Sequence, residues 1–201
     1  MTRASERDRP DVVEARHKWQ TNKSLLDIEQ LVFLDETGVN TKMARLYARS
    51  IGGTRAVDSI PHGHWHTTTF VAGLTHQSLI APAVFDGPMD GESFLAYAEQ
   101  ILSPTLKEGN IVIMDNLACH KVAGVKKAIE NAGARLLYLP PYSPDLNPIE
   151  QLFAKFKALL RKAGPRTISD LWERVGLLLS CFSAEECQNY FANSGYSLAT
   201  I

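Results

Sequence analysis

Two apolar runs stand out along the chain. "LVFL" (31–34) and "NIVIMD" (110–115) read as buried strands, and each leads into an aspartate, Asp35 and Asp115. "ARLYARS" (44–50) alternates apolar and polar positions, and "HWHTTTFVAGL" (64–74) is rich in Thr and Val, so both are expected to be strands. "SLIAPAVF" (78–85) and "RLLYLP" (135–140) complete the strand pattern. Helical spacing marks a short amphipathic segment over 11–20. It also marks "DGESFLAYAEQIL" (90–102), capped by Asp90, and "KVAGVKKAIENAG" (121–133), closed by Gly133. A long helix is predicted from Pro148 to Ala163, followed by two closing helices over 168–182 and 183–191. Ser183 and Glu186 form a capping-box pattern at the last of these.

Strands first, then strand–helix–strand–helix, predicts an α/β fold in which a mixed sheet is flanked by helices. No internal repeat, low-complexity tract or linker divides the chain. The expected organisation is a lead-in over 1–30 and one domain over 31–201.

The stretch "LPPYSPDLNPIEQLFAKFK" (139–157) packs four prolines into nine positions and then enters the long helix. Proline fixes φ and removes backbone donors, so this lead-in aims the helix start, where Glu150 lies in the first turn. With Asn147 as N-cap and Pro148 at the first helical position, Glu150 also sits where a capping-box acid would. The helix pattern weakens that simpler reading. Ile149, Leu152, Phe153, Phe156 and Leu160 form one apolar stripe, and Glu150, Lys157 and Arg161 line its flank.

Composition adds limits. Over 201 residues, 45% hydrophobic and 21% charged is the balance of a globular domain, and the net charge of −1 gives no overall attraction to a polyanion. Three cysteines without a CxxC pair suit a reducing compartment, and no run reaches the length of a membrane span, so a cytoplasmic location is expected. No GxSxG, P-loop or CxxC offers another chemistry.

Two strand-borne aspartates and an acid at a stiffened helix start suggest a site for hard divalent cations. Oxygen ligands suit Mg2+ or Mn2+, and two such ions about 4 Å apart serve phosphoryl transfer. A strand-end Asp capping a turn is the plainer alternative for either aspartate alone.

Thirty-four residues separate Asp115 from Glu150. That spacing, with "LVFLDET", "IVIMDNLACHK" and the proline-rich stretch, resembles the catalytic domain of DDE transposases of the mariner superfamily, and most closely its bacterial insertion-sequence branch, over roughly residues 30–195. The resemblance implies a ribonuclease-H-like fold and a metal-binding catalytic triad of Asp35, Asp115 and Glu150 holding two Mg2+ or Mn2+ ions. Asn116 and His120 match the family's Asp-Asn-x-x-x-His stretch at the rim of the site, with Asn147 beside them. The implied reaction is hydrolysis of phosphodiester bonds at transposon ends, followed by attack of the freed 3′ hydroxyl on target DNA.

The family's helix-turn-helix DNA reader is expected on an upstream segment or a separate partner, because residues 1–30 are too short for it. A homodimer in a synaptic complex is also implied. A ribonuclease-H-like nuclease without strand transfer, or an inactive DNA-binding remnant, are the competing readings.

Candidate DNA contacts are Lys157 and Arg161, with Lys155, Arg45 and Tyr142 as weaker ones. Lys155 and Lys162 lie away from the Glu150 flank and read as a solvated face. His62, His64 and His66 alternate and would share a strand face, but three such residues converge on zinc only if the strand bends sharply, so half-exposed histidines are expected. Trp65, Trp172 and Phe191 read as core.

Overall fold

The computed structural model describes residues 5–45, 47–57 and 66–196. One sheet contains β1 (Leu31–Asn40), β2 (Thr67–Leu74), β3 (Leu79–Asp86), β4 (Ile111–Met114) and β5 (Arg135–Tyr138), in the order β3-β2-β1-β4-β5. The helices are α1 (Pro10–Asn22), α2 (Gly91–Tyr97), α3 (Val125–Asn131), α4 (Pro148–Ala163), α5 (Ile168–Leu178) and α6 (Ala184–Asn193). β1, β2 and β3 pair antiparallel, and a tight turn at Thr75–Ser78 joins the last two. β4 lies parallel to both β1 and β5, and α3 makes the crossover between β4 and β5. This is the predicted mixed sheet between helices.

Helices α4, α5 and α6 pack on one face and α2 and α3 on the other. Along β1 the side chains divide accordingly. Leu31 and Phe33 enter the core with Ile149, Phe153 and Phe191, while Val32 and Leu34 enter the other with Phe94, Tyr97 and Ile129. Burial from both sides explains why "LVFL" has no polar interruption. The α4 stripe of Ile149, Leu152, Phe153, Phe156 and Leu160 is buried throughout. At roughly 1.5–3 kcal/mol per buried side chain, it fixes the helix against β1 and β2, with Phe156 stacked on Phe70 at 4.7 Å. Gly164 ends α4 in the left-handed conformation at φ 63°, which a side chain would strain.

Several expectations shift. β1 is ten residues long, so Asp35 stands inside the strand and not at its end; the polar "DETGVN" is held by the antiparallel ladder with β2. The described residues of 44–50 are not in a strand: among the described residues none pairs with the alternating segment to complete its hydrogen bonds, and Arg45, Tyr47 and Arg49 are exposed. The helix expected over 121–133 begins only at Val125, because Gly124 sits at φ 106° and interrupts the turn that starts at Cys119. After Tyr97 the chain widens into a π turn over Ala98–Leu102. Trp172 is 38% exposed and donates its indole N–H to Thr68 Oγ1, while Phe191 is core as expected. Trp65, His62 and His64 lie outside the described residues, and His66 is exposed ahead of β2. Among the described residues no helix is long and apolar enough to cross a membrane.

Candidate active site

β1 outlasts its parallel neighbour. Phe33 pairs with Ile113, β4 stops at Met114, and the same offset of 80 residues, carried two positions on, sets Asp35 beside Asp115. On its other side Asp35 is still held by the ladder, opposite Ala72. The two aspartates therefore stand where the sheet opens, at the carboxyl end of its parallel part, the region where open α/β sheets gather ligands. Glu150 arrives from the opposite direction as the third residue of α4. A cavity of about 620 Å3 is lined by Asp35, Glu36, Asp115, Asn116, Asn147 and Glu150 together with the proline-rich loop.

Asp35 is the most buried of the three, 7% exposed. Its Oδ1 accepts the Glu36 backbone N–H at 2.8 Å and its Oδ2 accepts the Asn147 side-chain amide at 2.8 Å. Burial, and then the charges of Glu150, Glu36 and Asp115, push its carboxyl up to about 8. A buried acid crowded by three others is unfavourable as an anion unless a cation joins them.

Asp115 is better supplied. Its Oδ1 accepts the Leu117 N–H at 3.0 Å and faces His120 Nδ1 at 2.8 Å. Burial alone would raise its carboxyl, but the bonds from His120 and Leu117 together hold it below the ordinary value. His120 is fully buried beneath Phe94, with ring centroids 4.5 Å apart, and its Nε2 meets Glu36 Oε2 at 2.9 Å. Burial disfavours the imidazolium, yet the two flanking carboxylates outweigh it and raise His120 to about 10. His120 thus bridges β1 and the end of β4 as a cation between two acids. Asn116, at the cavity wall, donates its amide to the Leu139 carbonyl and ties the strand end to the proline-rich loop.

Glu150 is exposed at the mouth of the cavity. Its carboxyl is raised by the cavity walls and by Asp115, and lowered by Lys157. It does not cap α4: the Asn147 backbone N–H is already bonded to the Pro144 carbonyl, and the Asn147 side chain is committed to Asp35. The capping explanation is therefore not the one adopted by the fold. Asn147 is buried, and its Oδ1 has no hydrogen-bond partner among the described residues.

The donor set fits hard divalent cations: carboxylate oxygens and one orphaned amide oxygen, without thiolate or free imidazole. Among the described residues, the one trio of ligand-type side chains with donor atoms all within 4.8 Å of one another is Glu36, Cys119 and His120. Both His120 ring nitrogens there already face carboxylates, so that trio is a hydrogen-bonded cluster behind the cavity. Asp35, Asp115 and Glu150 spread more widely around it.

The other expected contacts divide. Lys157 and Arg161 lie on α4 about 10 Å and 16 Å beyond Glu150 along the helix axis, half-buried and outside the cavity wall. Lys155 points elsewhere: its Nζ binds both Glu186 oxygens at 2.7 Å and the Cys181 carbonyl, over the Phe182 ring. Its ammonium is therefore already paired within the protein. Arg45 is exposed in the irregular segment after β1, not on a strand. Tyr142 lines the cavity, 45% exposed, with φ at 54°. Nothing in the sequence pattern singles out Glu36 or the ion pair between Arg16 and Asp145.

A family model described as DDE superfamily endonuclease matches residues 30–172. Among curated proteins none matches the sequence. Of solved structures, the chain is similar to the mariner Mos1 paired end complex with Mg, with a TM-score of 0.79 at 13% identity, covering 96% of this chain and 62% of that one. The pre-cleavage Mos1 transpososome gives a TM-score of 0.77 at 13% identity, covering 96% and 61%. The catalytic domain of Mos1 mariner transposase alone gives 0.66 at 13% identity, covering 96% and 91%. The chain thus spans about three fifths of the transposase in the assemblies and nearly all of that catalytic domain. At such identity the likeness is one of fold, and it identifies the five-stranded sheet with its helices as the ribonuclease-H-like arrangement. With the family model covering well over half of its length, the chain belongs to the DDE superfamily endonuclease family.

Proposed function

We propose that this chain is the catalytic part of a DNA transposase, with Asp35, Asp115 and Glu150 as its metal-binding acids. The observation that carries the reading is the convergence of these three residues, from β1, the end of β4 and the start of α4, on one cavity. Asp35's carboxyl at about 8 supports it, since the site is electrostatically incomplete without a cation.

Mg2+ or Mn2+ would be held by these acids, and when bound would activate an oxygen for attack at phosphorus and steady the departing one. Two ions are the arrangement with which such a set of acids serves phosphoryl transfer.

Within this reading the protein's groups hold and aim. Asn147 orients Asp35 through Oδ2, while the Glu36 N–H holds its Oδ1. Glu36 and His120 fix Asp115 from behind. Lys157 and Arg161 contact DNA phosphates along the α4 flank, Tyr142 offers a ring at the mouth for an unpaired base, and Arg45 supplies a more distant charge. The near-neutral net charge leaves sequence recognition to a helix-turn-helix region, upstream or on a separate chain, and two copies are expected to pair the two transposon ends.

Incubation with manganese, supercoiled DNA and a labelled transposon end tests this. Nicked and joined products, both lost in Asp115→Ala, support a transposase. Cut products without joining reduce it to a nuclease, and absence of either product contradicts it.

A further inference from the structure

The loop that delivers Glu150 is gripped from behind by the first helix. Arg16 of α1 has a side chain only 8% exposed. Its Nη1 donates to Ser143 Oγ at 2.6 Å and to Asp145 Oδ1 at 3.0 Å, and its Nη2 donates to Asp145 Oδ2 at 2.7 Å. Arg7 adds a second guanidinium to the same carboxylate at 3.0 Å. Further along α1, Trp19 donates to the Tyr196 hydroxyl, which in turn donates to the Leu146 carbonyl, each at 2.9 Å. The first helix is therefore tied to the segment that leads to Asn147 and Glu150 directly by Arg16 and, through Tyr196, by Trp19, with Arg7 just ahead of the helix adding a further bond.

That segment holds strain. Tyr142 lies in the left-handed region at φ 54°, between Pro141 and Ser143, an unfavourable conformation for a side chain that persists only when surroundings enforce it. Its neighbour Ser143 is clamped on both sides, donating to the Pro141 carbonyl at 3.0 Å while accepting from Arg16. A buried Arg–Asp pair is a weak source of net stability compared with apolar packing. A planar fork of donors on a carboxylate is, however, a good way to fix position and direction. Asp145 itself does not line the cavity. "SPDLNPIE" therefore carries two acids with separate work, one facing the cavity and one facing α1.

We propose that Arg16 is a positioning residue for the active site: its fork on Asp145 and Ser143 sets the strained loop, and through the loop it sets Asn147 and Glu150. The lead-in helix is then part of the catalytic unit, and an upstream DNA-reading region joined through it would be mechanically connected to the acid at α4. The metal readout below rests on the reading of the three acids given above; the exchange readout does not.

The test is amide hydrogen exchange together with manganese titration on the whole chain, comparing wild type with Arg16→Met, Arg16→Lys and Asp145→Asn. The expectation for Arg16→Met is exchange about tenfold faster or more at the Leu146, Asn147 and Glu150 amides, with β1 and β4 amides unchanged. Manganese affinity should fall about tenfold, as for other groups that orient ligands. Arg16→Lys should recover part of both. Asp145→Asn should match Arg16→Met, and the double variant should add little to either. Unchanged loop exchange overturns the proposal, as does a rise shared equally by β1 and β4, which marks general loss of stability. If wild type takes up no manganese, the metal reading fails, while loop exchange still decides the role of Arg16.

Discussion

The Asn147 side-chain amide donates to Asp35 Oδ2 across 2.8 Å, spanning 112 residues of sequence. An asparagine at a helix N-cap ordinarily turns its side chain onto its own first-turn amides. Here it gives up that bond and orients a buried carboxylate, while Pro148 at the first helical position and Ile149 in the core keep the helix start in place. Asn147→Ala should lower the manganese-dependent nicking rate by about 10-fold or more. Thermal stability should fall by only about 1 kcal/mol. Nicking assays beside a melting curve separate the two effects.

Asp35 gives a pH dependence of definite sign. Its folded carboxyl, near 8, lies above its ordinary value, so between about pH 4 and 8 the folded state binds the extra proton. Stability of the metal-free protein should therefore fall as pH rises through this window. Asp35→Asn removes the buried charge and should flatten the slope, raising stability at pH 8 by a few kcal/mol. Chemical denaturation in chelator at several pH values measures both slopes, and manganese should stabilise wild type but not the variant.

His120 gives a slope of the same sign over a higher pH window, here through the loss of a stabilising cation. Raised to about 10 by Asp115 and Glu36, it contributes stability that is complete below its ordinary value near 6.5 and is lost as pH rises through about 10. In metal-free protein its ring resonances should not titrate between about pH 6 and 8. His120→Ala leaves two carboxylates facing each other and a void beneath Phe94, so a loss of roughly 3 kcal/mol or more is expected. Glu36→Gln should let the ring titrate nearer neutrality, as an NMR series would record.

The basic residues of α4 separate by partner. Lys157→Ala and Arg161→Ala should each reduce the salt slope of DNA binding by about one. Lys155→Ala should leave that slope unchanged and lower stability instead, because its ammonium is held by Glu186 above Phe182. Salt-dependent binding isotherms with all three variants check the division.

Much of this site is written in local patterns. The apolar runs locate β1 and β4, and the prolines with the buried stripe locate Glu150 to the residue, since helix periodicity and φ restriction are local properties. What could not be read locally depended on partners. The apolar run "LVFL" stops at Asp35 and so predicts a strand end there; the strand's extension through "DETGVN" exists only through the ladder with β2. The described residues of 44–50 show the converse, with strand-like alternation and no strand beside them among the described residues. The grip of Arg16 on Asp145 joins positions 129 apart, and nothing in "EARHKWQ" marks that arginine among its charged neighbours. The bridge by His120 was half visible: its place five residues after Asp115 was noted, while Glu36 had no spacing to betray it.

Manganese binding tests the central claim most directly. Titration followed by calorimetry on wild type and Asp115→Ala, at pH 8 where the acids ionise most readily, should show saturable uptake approaching two ions per chain in wild type and its loss in the variant. No uptake by wild type, or equal uptake by both, would contradict a site built from Asp35, Asp115 and Glu150.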